Sequence, residues 1–347
     1  MDTARQAVGD VSAATPTANP PAPKASGSRR RPAALTHLGP RYGIIAVWAA
    51  LIVFYSLTEP SLFPHTTTFQ AIFNSQQPLV FMTMALLCTI IVGEFVDLSV
   101  PAVFVFGATI LPVLVVNHGW NVWLASVAAV LGCAVVGAIN AFLVVKVHVN
   151  TIVVTLGMSS LLQGVAILIS NDNTISGMPQ GFQKLALENV GGLPVSFYYG
   201  VVLVGGFAYL LACTPLGRHM RFVGASREVS RLSGVRVDRI RFGSFVFAGV
   251  LAGIGAVIAV ADVGSSYNAI TADSNLMPVF AAVFLGTAIF EPGRFSPLGT
   301  FVGIYFLETG MIGLQLHSAA VWITPAFYGA VLVIAVTIST LLHRRSS

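Results

Sequence analysis

The sequence predicts an all-α polytopic membrane protein of about ten transmembrane helices with cytoplasmic N- and C-termini, on three observations. Of its 347 residues, 55% are hydrophobic and only 9% are charged, against roughly a quarter charged in soluble domains. The apolar residues come in long blocks, without strand alternation or a single helical face, as expected of segments that meet lipid on all sides. Lysines and arginines gather in alternate gaps between the blocks.

Residues 1–41, rich in Ala, Pro, Ser and Thr, bury too little apolar surface to fold alone and read as a disordered basic cytoplasmic tail. The apolar run that follows starts too far into the chain, and is too long, for a signal peptide, so it is expected to remain as an anchor. A spanning helix needs about 20 mostly apolar residues. On that ruler the membrane domain, residues 42–343, holds spans at about 42–58, 78–93, 100–116, 120–145, 151–170, 197–213, 241–261, 276–290, 297–316 and 321–342. The second and eighth are short, which leaves room for a broken or re-entrant element. With the N-terminus inside, inner segments hold the tail's cations, Lys146, the arginines of 214–241, Arg294, Arg344 and Arg345, and only Lys184 falls outside. Asp172, Glu188, Asp262 and Asp273 fall in outer loops.

Several classes of function find no support. Topology accounts for the net charge of +5, so no nucleic-acid partner is implied. Cys88, Cys133 and Cys213 lie in apolar spans without ligand spacing and read as free buried thiols. The seven histidines form no metal-binding pair, so no metal is expected. No Gly-x-x-x-x-Gly-Lys-Ser/Thr stretch occurs, so the chain is expected to bind no nucleotide cofactor itself.

The longest inner loop, 214–240, and the first residue of the next span hold seven arginines. It is either a plain positive-inside loop or a docking element. Within it "SREVSRL" can form a short helix capped by Ser226, with Glu228 in the first turn and Gly234 ending it in a left-handed conformation.

"GASREVSRLSGVRVDRIRFGSFVFAGVLAGIGAVI" resembles the cytoplasmic loop and following span of permease subunits in ribose-type sugar ABC transporters, within the branched-chain amino acid/ribose permease superfamily. Gly224, Leu232, Ser233, Gly234 and Val237 fit, with Ser226 in place of the usual Asn and Val235 of the usual Ile. "VDLSVPAVFVFGA" is similar to a second family signature at Asp97, Leu98, Ser99 and Val100. "INAFLVVKVHVNTIVVTLGMSSLLQGVAIL" matches a third at Asn140, Leu143, Val144, Thr155, Leu156 and Gly157. "VFLGTAIFEPGRFSPLGTFVGIYFLETG" resembles a glycine-rich stretch at Gly286, Gly293, Arg294, Gly299, Thr300, Gly303 and Gly310. Glu94 and Phe95 stand where two glycines are usual, Pro101 replaces a glycine, and Glu291-Pro292 enters a usually glycine-rich turn; these departures leave the substrate open.

The resemblance implies a non-enzymatic permease of a bacterial plasma membrane. A second permease, expected to be an identical copy, would accompany it. ATPase subunits using ATP and Mg would bind its coupling loop at Gly224, Ser226, Arg227, Glu228, Ser230, Leu232, Ser233 and Gly234. An extracytoplasmic binding protein would deliver a monosaccharide or related polyol. For the turn holding Glu94 and Asp97 two roles stand side by side. Asp97 and Ser99 can cap the third span, with Pro101 tolerated in its first turn. Alternatively the turn lines the translocation path, with Asp97 and Glu94 facing sugar hydroxyls or stabilising a gate. Glu308, an acid inside an apolar span, either faces a cavity or sits near the outer interface, since mid-bilayer charge costs roughly 2.5–3.5 kcal/mol. The small residues of "GVLAGIGA" and "GTFVGIYFLETG" are expected to let helices pack closely. An ion-coupled secondary transporter would need buried ion sites, for which Glu308 is the main candidate. An intramembrane enzyme would need clustered catalytic groups, for which Glu94 and Asp97 are the candidates.

Overall fold

The computed structural model describes residues 33–60, 63, 65–74, 76–94, 96–266, 271–290, 293–316, 320 and 322–346. The helices are α1 (Ala33–Thr58), α2 (Thr66–Asn74), α3 (Gln77–Ile91), α4 (Val100–Pro112), α5 (Val122–Ala141), α6 (Thr151–Ser170), α7 (Gln180–Leu187), α8 (Val195–Cys213), α9 (Pro215–Ala225), α10 (Arg227–Leu232), α11 (Val237–Val263), α12 (Thr271–Gly286), α13 (Pro297–Leu316) and α14 (Ile323–Ser346). One two-residue hairpin joins β1 (Asn189–Val190) to β2 (Leu193–Pro194). π-helical turns extend α4 over Val113–Asn117, just after Pro112, and α5 over Phe142–Lys146.

Local chemistry explains the helix ends. Asn121 and Asn150 accept backbone N–H groups at the starts of α5 and α6. Left-handed Asn171 ends α6, and left-handed Gly264 ends α11.

Helices stand at all ten positions where spans were expected. Among the described residues six, with the π-helical extensions of α4 and α5 counted, are long and apolar enough to cross a membrane: α4, α5, α6, α8, α11 and α13. Apolar parts of α1, α3, α12 and α14 are shorter. At 15 residues α3 reaches only about 22 Å, less than the ~30 Å hydrocarbon core. The short helix α2 precedes it, and α12 carries Pro278 in its interior.

Three expectations are corrected. The segment expected to be disordered to residue 41 is helical from Ala33, continuous with the apolar span although Gly39, Pro40 and Gly43 lie within it; residues 1–32 lie outside the described residues. Asp262 belongs to the last turn of α11 instead of a loop, because that helix continues until Gly264. Cys213 is exposed, ending a helix whose outward face also shows Val202 and Tyr209, whereas Cys88 and Cys133 are buried.

The core is built around α3, which is buried on every face except at Pro78 and packs against α8, α11, α12 and α13. α11, about 40 Å long, runs beside it and also packs against α4 and α5. Small residues set these distances. A β-carbon at Gly249 would overlap the Cys133 carbonyl oxygen, and one at Gly137 the Phe245 carbonyl oxygen. Gly286 and Gly299 bring α12 and α13 together in the same way.

Gly249→Val is therefore expected to destabilise the purified chain by about 1–3 kcal/mol, the usual penalty of overpacking. Gly157→Val, on an exposed face with open space around it, should stay within about 0.5 kcal/mol. Thermal unfolding in detergent compares the two.

Candidate functional site

The turn between α3 and α4 gathers residues that are distant in sequence. α3 stops because Gly93 takes a left-handed φ of 88°, and the amides of Gly93 and Glu94 donate back to the carbonyls of Ile90 and Thr89. This reversal points Glu94 inward, where it is 3% exposed. Its Oε1 accepts from Arg241 Nε at 2.6 Å and Arg227 Nη2 at 2.8 Å, and its Oε2 accepts from Thr151 Oγ1 at 2.7 Å. Arg227 Nη2 also donates to the Gly93 carbonyl at 2.9 Å. One carboxylate thus joins the end of α3, the start of α6, the short helix α10 and the first turns of α11. Charge-assisted bonds to both oxygens offset the desolvation of this buried acid.

Beside it, motif residues from separate stretches converge. Asp97 is 2% exposed, and its Oδ1 accepts from the Ser99 amide at 3.1 Å and the Ser99 hydroxyl at 2.7 Å. Asn140 Nδ2 donates to Ser99 Oγ at 2.9 Å, and the Leu98 amide donates to Thr155 Oγ1 at 3.2 Å. The capping expectation is corrected in one respect. Ser99 occupies the N-cap position of α4, yet its backbone is already helical and its side chain accepts no helix amide, because its hydroxyl is committed to Asp97 and Asn140. Pro101 lies in the first turn as expected. The cavity that Asp97, Ser99 and Asn140 line measures about 10 Å³, far below the few hundred Å³ that hold a small molecule. Among the described residues, Asp97, Ser99 and Asn140 thus pack against one another rather than around a solute-sized cavity.

Burial pushes the Asp97 carboxyl up to about 6, against the two Ser99 hydrogen bonds that favour the carboxylate and with a smaller push from Glu94. A folded value above the unfolded one means that this group stabilises the fold most when protonated. Its contribution is lost as pH rises from about 4 through about 6. Asp97→Asn keeps both acceptor contacts and removes the titration. The variant is expected to melt at or above the unaltered chain at pH 7, with the difference shrinking below pH 4, and to retain uptake. Loss of uptake at normal membrane abundance would instead show that the carboxylate does more than hold the turn, by facing the solute or stabilising a gate.

The arginine-rich loop folds into α9 and α10. Thr214 Oγ1 caps α9 through the Gly217 amide, and Ser226 Oγ caps α10 through the Val229 amide. Glu228 lies in the first turn of α10, and Gly234 follows the helix with a φ of 78°. Gly224 lies so close to the turn after α3 that a β-carbon there would overlap the Ile91 carbonyl oxygen. Ser230 is buried, its hydroxyl donating to the Ser226 carbonyl, and Ser233 Oγ donates to the Val229 carbonyl. Leu232 is 89% exposed and Val229 is exposed beside it, so two aliphatic side chains of α10 are available to a partner.

Other candidates lie apart. Gly157 is exposed on α6. Glu308 is half-buried towards the opposite end of the bundle, joined by a side-chain hydrogen bond to Gln76 at the start of α3. Gly286 serves helix packing, while left-handed Gly293 and exposed Arg294 face Gly224 and Arg221 across a hollow of about 370 Å³. Phe95 and Glu291-Pro292 lie outside the described residues. No cluster of metal-ligating side chains occurs among the described residues. Sequence reasoning missed Arg241 and Thr151 as partners of Glu94. An arginine opening an apolar span is a visible signal, but it reads as a topology marker and conceals its pairing across 147 positions.

Residues 69–336 match the model of the family described as branched-chain amino acid transport system / permease component. The chain is 29% identical over 314 residues to proteins called autoinducer 2 import system permease protein LsrD from Escherichia coli K12, Shigella flexneri and Escherichia coli O157:H7. Each alignment covers 88% of this chain and 94% of the relative. No solved structure matches.

Proposed function

Because the chain belongs to the branched-chain amino acid transport permease family, as a sugar-type ABC importer permease of the bacterial inner membrane, we propose that α10 is its coupling helix and Glu94 the knot that passes ATPase motion into the spans. A single arrangement carries this reading: a short helix presents Leu232 to solvent on one side and is tied through Arg227 to a buried carboxylate on the other. Movement of a cytoplasmic ATPase bound at Leu232 would be felt by Arg227. Glu94 would then shift the end of α3, the start of α6 and the base of α11 together, because its backbone closes α3 while its two oxygens hold α6, α10 and α11. Packed elements linked in this way switch between discrete arrangements more readily than they deform.

The same reading places ten spans in the membrane with both termini and the arginine-rich loop in the cytoplasm, and pairs the chain with an identical copy. An extracytoplasmic binding protein would deliver a monosaccharide or related polyol, and would hold most of the selectivity. The relatives named as autoinducer 2 import permeases make that compound one solute to try. ATP and Mg would act in the partner ATPase.

Reconstitution tests the proposal. Vesicles containing the chain with its ATPase, given the binding protein outside, are expected to accumulate one labelled sugar, polyol or autoinducer 2 from a panel only when ATP is inside. Uptake without the ATPase that collapses on adding a protonophore would favour ion coupling, with Glu308 as the first residue to examine.

A further inference from the structure

Two hollows at the arginine-bearing end of the bundle share one residue, Arg239. The first, about 400 Å³, lies between α8, α9 and α11 above Cys88 and is walled by carbon, chiefly Phe207, Leu210, Met220 and Phe247. It opens sideways because α8 and α11 make no substantial contact, each resting instead on α3. The second, about 320 Å³, is polar and bounded by Lys146, Arg231, Arg236 and Arg239. Arg231 is paired with Asp238 at 3.0 Å. Lys146, Arg236 and Arg239 are exposed, and none has an acidic partner among the described residues. Along α11, Arg239 heads an outward stripe that continues through Gly243, Phe247 and Ile254, all exposed. The stripe therefore faces outward from the bundle.

We propose that this pair of hollows binds one anionic phospholipid, its phosphate among Lys146, Arg236 and Arg239 and an acyl chain in the carbon-walled groove. Charge and shape complement each other. Unpaired cations at the cytoplasmic rim attract an anionic headgroup, and the adjoining groove accepts the tail, with Arg239 spanning the boundary by its apolar stem and charged tip. The basic cleft alone would suit an acidic protein surface. Its position beside a groove set in the bundle wall, which a soluble partner does not enter, with Arg239 lining both, favours lipid.

The test uses the purified full-length chain in mild detergent, offered equal phosphatidylglycerol and phosphatidylcholine with identical tails, with retained lipid counted by native mass spectrometry. The chain is expected to retain phosphatidylglycerol preferentially. R239Q should lower that preference about five-fold, the factor that corresponds to about 1 kcal/mol for one cation at an anionic surface. G243L sends a side chain into the groove from a position with open space, and improves helix propensity, so it should fold and retain less of both lipids. Equal retention of the two lipids by the unaltered chain, a preference unchanged in R239Q, or retention unchanged in G243L would overturn the proposal. So would a dimer that both variants dissociate while lipid retention stays constant, since the groove would then be covered by a second copy.

Discussion

Replacing Glu94 with glutamine is expected to destabilise the chain by about 3–5 kcal/mol, the usual result of leaving a buried charge without its partner. Arg241 is the reason. Its side chain is only 8% exposed, and Glu94 is its sole ion-pair partner among the described residues. A glutamine oxygen can still accept one hydrogen bond, but it cannot balance the guanidinium charge. Arg227→Gln removes the other cation, which is 41% exposed, so solvent screening holds its stability effect to about 1 kcal/mol or less. Its functional effect should be larger than its structural one: ATP hydrolysis by the assembled transporter persists while uptake falls, because the tie between α10 and the turn after α3 is cut. Thermal unfolding of both variants, with hydrolysis and uptake measured in the same vesicles, separates the roles. Equal stability loss in the two variants, or unimpaired uptake in Arg227→Gln, would remove Glu94 from the transmission path.

Leu232→Asp is expected to leave the fold unchanged to within about 0.5 kcal/mol, since the side chain is 89% exposed. Binding of the ATPase should weaken by about 2 kcal/mol or more, a factor of roughly thirty, if Leu232 is the buried anchor of that interface. The measurement is retention of the ATPase on the immobilised chain across a dilution series. Leu216→Asp provides a contrast, because that leucine is also exposed but lines the groove beside Phe207, away from α10.

Helix positions were legible because lipid imposes a strong constraint: long apolar blocks located the helices within a few residues. Local capping was legible for a different reason, since it depends only on neighbours in sequence: Ser226 caps α10, Glu228 sits in its first turn and Gly234 supplies the left-handed φ after it. Tertiary partnership was not. Nothing near Glu94 announces that Arg241 and Thr151 will meet its carboxylate, because the meeting depends on how α3, α6 and α11 pack. The Ser99 cap failed for a related reason. Its hydroxyl had a local use at the start of α4 and a longer-range use with Asn140, and packing chose the second. Helix exposure escaped composition too: Cys88 and Cys213 both sit in apolar segments, yet one lies in the enclosed central helix and the other on an outward face.

Affinity purification of the chain from its native membrane, with mass spectrometry of what remains bound, addresses the coupling role of α10 most directly. The intact chain is expected to retain an ATPase subunit, and the Leu232→Asp variant, inserted at equal abundance, to lose it. An intact chain that retains no ATPase even after cross-linking, or a variant that retains it fully, would contradict that role.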